Sequence, residues 1–286
     1  MFKFMKWSAA PVLASLLVLG SLAPSSADAI GTPPSQSQPT GKHITILHTN
    51  DIHAHAVPNS PEMGFAKLAG IIDQYRAQNP NTLLLDDGDV IHGTTFATLV
   101  NGESIVQVMN EMKYDAMAPG NHEFNYGTDR LVELSKQFHF PVISANVKNK
   151  NGERIFKPYI IKEIDGVKIG IFGLTTPETA FKTNPKNVQN VEFTDPSKEA
   201  QEMVNELQKQ DADVIIALGH IGQDKSSQDT SLKIAKEVKG IDLFIDGHSH
   251  TVLPEGFLAD NNTLIASAGE YSKYLGVVDL WVARTR

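Results

Sequence analysis

The chain has 286 residues, enough for one large domain or two small ones, with 41% hydrophobic and 20% charged residues. A net charge of −8 leaves no basic excess for gripping a nucleic-acid duplex or an anionic membrane, although a small anionic substrate stays compatible because bound metal ions invert a local field. Cysteine is absent, which excludes disulfides, a thiolate nucleophile and sulfur metal ligands, so any metal site must use His, Asp, Glu or Asn.

The opening stretch MFKFMKWSAA carries Lys3 and Lys6 and is followed by the apolar run PVLASLLVLG and by small residues ending Ala27-Asp28-Ala29. That order is the pattern of a secretory signal peptide over residues 1–29, and the apolar run is short for a membrane span. The expectation is a secreted or extracytoplasmic protein without a stable membrane anchor. Residues 30–41, IGTPPSQSQPTG, read as a flexible Pro/Ser/Gln-rich linker.

From residue 42 onward strand and helix signals alternate. ITIL (44–47) is a short β-branched run, and Phe65, Leu68, Ala69, Ile72 and Tyr75 recur at helical spacing until Asn79-Pro80. TLLLDDGD is an apolar run ending in acids; Ile105, Val108, Met109 and Met112 predict a second helix. DAMAPGNHE reads as another short strand, Leu131, Leu134 and Phe138 as a helix over 126–138, and PVISAN as a further strand. YIIKEIDGVKIGIFGLTT predicts a hairpin about Asp165-Gly166. An amphipathic helix over 196–210, the run DVIIALGHIG, a helix over 229–239, IDLFIDGHSH, and strands in TLIASA and LGVVDLWVA complete the chain. The fold class is α/β with buried sheets.

Five apolar strands end in polar, metal-competent residues: Asp51 and His53; Asp89; Asn121 and His122; His220; His248 and His250. In open α/β sheets, ligands bind beyond the carboxyl ends of strands, where side chains distant in sequence meet. Asp-x-His and His-x-His each place two donors on one side of an extended segment, and a glycine before Asp89, Asn121, His220 and His248 permits a tight turn at each strand end. Any one of these patterns alone reads as an ordinary surface pair or loop; the ordered set points to one metal site. His55 and His92 lie near enough to reach substrate or support a ligand. His48 reads as core or support, and His43 and His139 as plain surface residues.

The ordered set DIH, GD, GNHE, GHIG and GHSH resembles the calcineurin-like metallophosphoesterase superfamily. The longer strings ILHTNDIHAH, GNHEFNYG and IDLFIDGHSH resemble the catalytic domain of its secreted 5′-nucleotidase and 2′,3′-cyclic-nucleotide 2′-phosphodiesterase branch. The resemblance implies a four-layer α/β/β/α sandwich over residues 42–286 with two divalent metal ions of the Mn, Zn, Fe, Ca or Mg kind. It implies Asp51, His53 and His250 on one metal, Asn121, His220 and His248 on the other, and Asp89 bridging. It further implies in-line attack on phosphorus by a metal-activated hydroxide, with His122 stabilising the transition state or protonating the leaving oxygen.

Relatives of the nucleotidase type commonly carry an aspartate three residues after that histidine. This chain has Asn125, as in strings similar to the cyclic-nucleotide phosphodiesterase subgroup. Asn125 either orients His122 by a hydrogen bond or caps the helix expected at 126–138. The family's C-terminal nucleotide-binding domain has no counterpart in the sequence. The resemblance therefore implies the chemistry more directly than the substrate, and the partner it implies is a small nucleotide or related phosphate ester. The alternatives are a non-catalytic or incomplete domain that needs a missing substrate-binding domain, or a UDP-sugar or thiosulfate-ester hydrolase.

Overall fold

Period-two alternation sorts the strand residues onto two faces, and the computed structural model, which describes residues 41–283 and the backbone of residues 3–7, shows both faces covered. Along the chain run β1 (Lys3–Trp7), β2 (Lys42–Thr49), α1 (Gly64–Gln78), β3 (Thr82–Asp86), α2 (Thr95–Thr98), α3 (Glu103–Glu111), β4 (Ala116–Met117) and α4 (Thr128–Ser135). There follow β5 (Val147–Asn149), β6 (Tyr159–Ile164), β7 (Val167–Thr175), α5 (Thr179–Lys182), β8 (Val191–Phe193), α6 (Pro196–Lys209) and β9 (Val214–His220). The last elements are α7 (Ser231–Glu237), β10 (Leu243–Asp246), β11 (Phe257–Leu258), β12 (Leu264–Ala266) and β13 (Gly276–Val282). The first residues of the expected signal peptide form β1, at the edge against β13; the remainder of it and the linker up to residue 40 lie outside the described residues.

One sheet has the order β1-β13-β2-β3-β4 and the other β11-β12-β10-β9-β7-β6. Ile44, Ile46, Leu83 and Leu85 point from the first sheet onto Ile169, Ile216 and Ile245 of the second, forming a dry layer between them. The alternate residues Leu47 and Leu84 point outward onto α1 and α3, through Leu68, Ile72 and Met109. On the far side Phe172, Ile215 and Phe244 meet Met203 and Leu207 of α6 and Ile234 of α7. Three apolar layers separate four layers of structure, which is the α/β/β/α sandwich.

Local signals explain the elements. Asp195 caps α6, its carboxylate accepting from Ser197 N and Lys198 N, with Pro196 in the first turn. The hairpin turns where expected: Ile164 pairs with Val167, and Asp165 and Gly166 take φ of 48° and 70°, the two left-handed residues of a type I′ turn. PVISAN differs from the expectation. It makes only isolated bridges, Met117 to Val142 and Ile143 to Lys157, because its backbone changes partner at each residue: Ile143 N donates to Met117 O, Ser144 N to Lys157 O and Ala145 N to Gly173 O. The 126–138 helix also begins later, at Thr128, after a separate 3₁₀ turn over His122–Tyr126.

β2, β3 and β4 are mutually parallel, as are β7, β9, β10 and β12, so each sheet delivers its strand ends to one rim. Among the described residues no helix is long and apolar enough to cross a membrane.

Candidate active site

The loops leaving these strands carry the candidate residues, and they do so by turning sharply. Asp51 and His53 are not on an extended segment as the period-two reading expected. They take left-handed φ of 52° and 49°, and Asp89, His248 and His250 take 54°, 70° and 53°. Each such non-glycine residue costs on the order of 1 kcal/mol and persists only where its surroundings fix it. Here Asp51 N donates to Gly88 O at 3.0 Å, His53 N to Asp89 O at 2.8 Å, and His248 N to the Asp51 carboxylate at 3.1 Å.

Two of the strand-end glycines have different reasons to be glycine. Gly88 sits at φ 87°, the turn expected. Gly120 is needed for space: a Cβ there would lie 2.3 Å from Asp89 Oδ1 and 2.7 Å from His220 Nε2. The glutamate of GNHE, unassigned from sequence, is a buried clamp. Glu123 Oε2 accepts from Asp89 N and Gly120 N at 2.6 and 2.7 Å, and Oε1 from Val90 N and Ile91 N at 2.7 and 3.0 Å.

The loops bring ligand atoms together in three overlapping groups, each within 4.8 Å: Asp51, His53 and His250; Asp89, His220 and His248; His53, Asp89 and His122. Asp89 stands between the first two, its Oδ2 3.2 Å from His220 Nε2 and 3.9 Å from His53 Nε2. His53 Nε2 and His250 Nε2 approach to 3.2 Å, and His250 Nε2 lies 3.6 Å from Asp51 Oδ1. Asn121 lines the same cleft, and its Oδ1 is buried without a hydrogen-bond partner. An acceptor abandoned in this way costs free energy unless something electropositive meets it. That orphaned oxygen, with carboxylates and imidazoles crowded about it, suits a divalent cation of the N/O-binding kind.

The electrostatics are those of a site built around positive charge. Burial pushes the Asp51 carboxyl up to about 8, against the pull of His220. Burial also acts upward on Asp89, but His220, His122 and His53 outweigh it and hold that carboxyl well below the usual range. Burial lowers His53 and His248 to about 4, which keeps both imidazoles neutral and available as ligands. His220 is opposite: burial disfavours its charge, yet Asp89 and Asp51 raise it well above the ordinary histidine value.

Three of the imidazoles, those of His220, His248 and His250, are also held from behind. His220 Nδ1 contacts Asp87 O at 2.6 Å, His248 Nε2 contacts Glu178 Oε2 at 3.3 Å, and His250 Nδ1 pairs with Glu270. Such partners fix the ring and leave the other nitrogen for the site. Glu178 and Glu270 had no sequence signal, since they lie in loops whose proximity to a histidine is purely tertiary.

His122 is mounted the same way. Asn125 Nδ2 donates to His122 Nδ1 at 2.7 Å, and Asn125 Oδ1 accepts from Thr183 Oγ1 at 2.7 Å. Asn125 caps no helix; α4 starts from Gly127 without a side-chain cap. With Nδ1 accepting, the neutral ring carries its proton on Nε2. The cleft is about 490 Å³ and includes His55, His92, Lys182 and Tyr271. His92 stacks on His122 with centroids 5.7 Å apart, and His55 stacks on Tyr271 at 4.2 Å.

Elsewhere, His48 is buried and His139 exposed, as read from sequence. His43 is more engaged than a plain surface residue: it pairs with Asp279 at 2.8 Å and stacks on Trp281.

The family model for calcineurin-like phosphoesterases matches residues 44–252. The chain is 35% identical over 297 residues to the trifunctional nucleotide phosphoesterase protein YfkN of Bacillus subtilis, covering 87% of this chain and 20% of that protein. It is 37% identical over 230 residues to human 5′-nucleotidase, covering 74% of this chain and 39% of that one. The chain thus spans well under half of either relative. The crystal structure of the Bacillus subtilis calcineurin-like phosphoesterase YfkN superposes with a TM-score of 0.75 at 34% identity, covering 84% of this chain and 85% of that chain.

Proposed function

From the premise that the chain belongs to the calcineurin-like phosphoesterase family, which uses divalent metals, we propose that it is an exported two-metal phosphoesterase acting on nucleotides or related phosphate esters. The observation that carries the reading is the pair of ligand groups, Asp51/His53/His250 and Asp89/His220/His248, meeting at Asp89 beside the partnerless oxygen of Asn121. In this reading Asp51, His53 and His250 would hold one ion, Asn121, His220 and His248 would hold the other, and the Asp89 carboxylate would serve both. Two such ions supply Lewis-acid polarisation of phosphoryl oxygens and a nucleophile from water at neutral pH.

The chain's own residues do the rest. Glu123 fixes the Asp89 and Gly120 backbones, so the bridging carboxylate is set in advance of binding. His122, with Nδ1 occupied by Asn125, offers its Nε2 proton to the leaving oxygen or to charge developing on phosphorus. Asparagine orients the ring but adds no negative charge behind it, so orientation by Asn125 and Thr183 replaces the ion pair that an aspartate would make. The support for nucleotides as substrates is similarity to proteins named for that activity.

The test is hydrolysis of 2′,3′-cyclic AMP and 5′-AMP by purified protein stripped of metal and refilled with Mn²⁺. At least one should be cleaved. His122→Ala should retain both metals and lose roughly 100-fold or more in turnover, the usual range for a general acid. A variant that loses metal would make His122 a ligand instead, and a two-metal protein inert to both nucleotides would refute the substrate class.

A further inference from the structure

The cleft has one standing cation. Among the described residues that line it, Lys182 is the only lysine or arginine; the rest of the charged lining is imidazole and the Asp89 carboxylate. In the reading above, His53, His248, His250, Asn121 and Asp89 are all committed to metals, and His122 to the leaving group. Of the polar groups left over, His55, His92, Thr94, Tyr271 and Lys182, the lysine is the one that brings an ammonium to the wall. It closes α5 and lies half-exposed, its Nζ 3.9 Å from Glu178 Oε2 one helical turn back. The same Glu178 oxygen lies 3.3 Å from His248 Nε2. The ammonium thus lies at the wall of the cleft, in a loose ion pair with the carboxylate that also contacts a candidate ligand histidine.

A lysine so placed acts as a point charge toward phosphate oxygens. Its effect depends on the charge of the ester. A phosphomonoester is a dianion near pH 8, and a phosphodiester is a monoanion. At one position, the attraction to a dianion is twice that to a monoanion. We propose that Lys182 is a specificity-determining residue that binds a peripheral non-bridging oxygen of the substrate and biases this cleft toward dianionic phosphomonoesters over monoanionic diesters. The inference rests on the phosphoesterase reading and adds the charge class of the substrate to it.

The experiment compares wild type with Lys182→Gln and Lys182→Arg, using p-nitrophenyl phosphate as the dianion and bis(p-nitrophenyl) phosphate as the monoanion at pH 8, with Mn²⁺ present. Loss of one charge-assisted contact corresponds to about 10-fold. Lys182→Gln should lower kcat/KM about 10-fold for the monoester, mainly through KM, and about 3-fold for the diester, half the free energy being half the logarithm. Lys182→Arg, which keeps the charge, should restore the monoester preference. Equal losses on both esters, or none, would overturn the proposal.

A binding arm makes the test independent of turnover. Calorimetric titration of the Mn²⁺-loaded protein with inorganic phosphate should show a Kd raised about 10-fold in Lys182→Gln, and an unchanged Kd would overturn the proposal by itself. Wild-type protein that binds phosphate through Lys182 yet cleaves neither ester would instead remove the phosphoesterase reading and leave the anion site standing.

Discussion

Glu123 touches no candidate substrate position, yet it sets the geometry of those that do. Its two oxygens accept from four backbone N–H groups, two each, belonging to Asp89, Gly120, Val90 and Ile91. Only a carboxylate fits that cradle. In Glu123→Gln, whichever way the amide turns, its NH₂ faces two donors. Each buried backbone N–H left unsatisfied costs roughly 1–3 kcal/mol. The metal-free variant should therefore unfold with a loss of about 3 kcal/mol or more in urea, and a midpoint equal to wild type would show that the clamp is not structural. The sequence presents this glutamate only as part of a motif. Nothing in GNHE tells a ligand from a clamp, because the distinction depends on which backbone amides the fold turns inward.

At the scale of elements, the strand ends were legible and the turns beyond them were not. Runs such as ITIL, TLLLD and DVIIALGH have the β-branched, apolar character of buried parallel strands, and they became β2, β3 and β9. Metal-competent residues follow such runs directly, so their convergence could be argued from topology alone. Asp-x-His and His-x-His read as extended because period two is the default of a strand; all four residues are left-handed instead, and tertiary hydrogen bonds hold the backbone of Asp51, His53 and His248 there. The four-residue helix α5 was missed as well, since TAFK is too short for periodicity, and with it went Lys182 and the Thr183 hydroxyl behind Asn125. Gly120 shows how tightly the loops are set. Gly120→Ala would push a methyl group to 2.3 Å from Asp89 Oδ1 and 2.7 Å from His220 Nε2, while leaving every strand and helix untouched. The expected outcome is far-UV circular dichroism like wild type with less than the full metal content by elemental analysis; two metals retained would mean that the loop can yield.

For the whole molecule, the candidate site loads the fold with buried carboxylates. Burial raises Asp51 to about 8 and puts Asp86 and Asp87 well above the usual carboxylate value, and both oxygens of Asp87 lack a hydrogen-bond partner. A carboxyl whose folded pKa is raised contributes stability that is complete below its unfolded value and disappears as pH rises through the folded one. His220, raised by its carboxylate neighbours, follows the same rule from 6.5 upward. His53 and His248, lowered to about 4, act in the opposite sense, but their contribution is complete above 6.5 and lost only as pH falls toward 4. Asp89, held low, is likewise fully stabilising above its unfolded value. Between pH 6.5 and 8, then, the lowered groups contribute a constant amount and the raised ones all cost stability as pH rises. The metal-free protein should melt at progressively lower temperature across that interval. Divalent cations favour ionised carboxylates and neutral imidazoles together, and bind the folded state alone. Mn²⁺ at a fixed concentration equal to 1,000 times its Kd at pH 6.5 should restore about 4 kcal/mol there, roughly 10 °C for a domain of this size, and more as pH rises toward 8 and Kd falls. Thermal melts of stripped and refilled protein measure it. A metal-free melting temperature that holds or climbs over that range would mean that the buried carboxylates are not waiting for a cation.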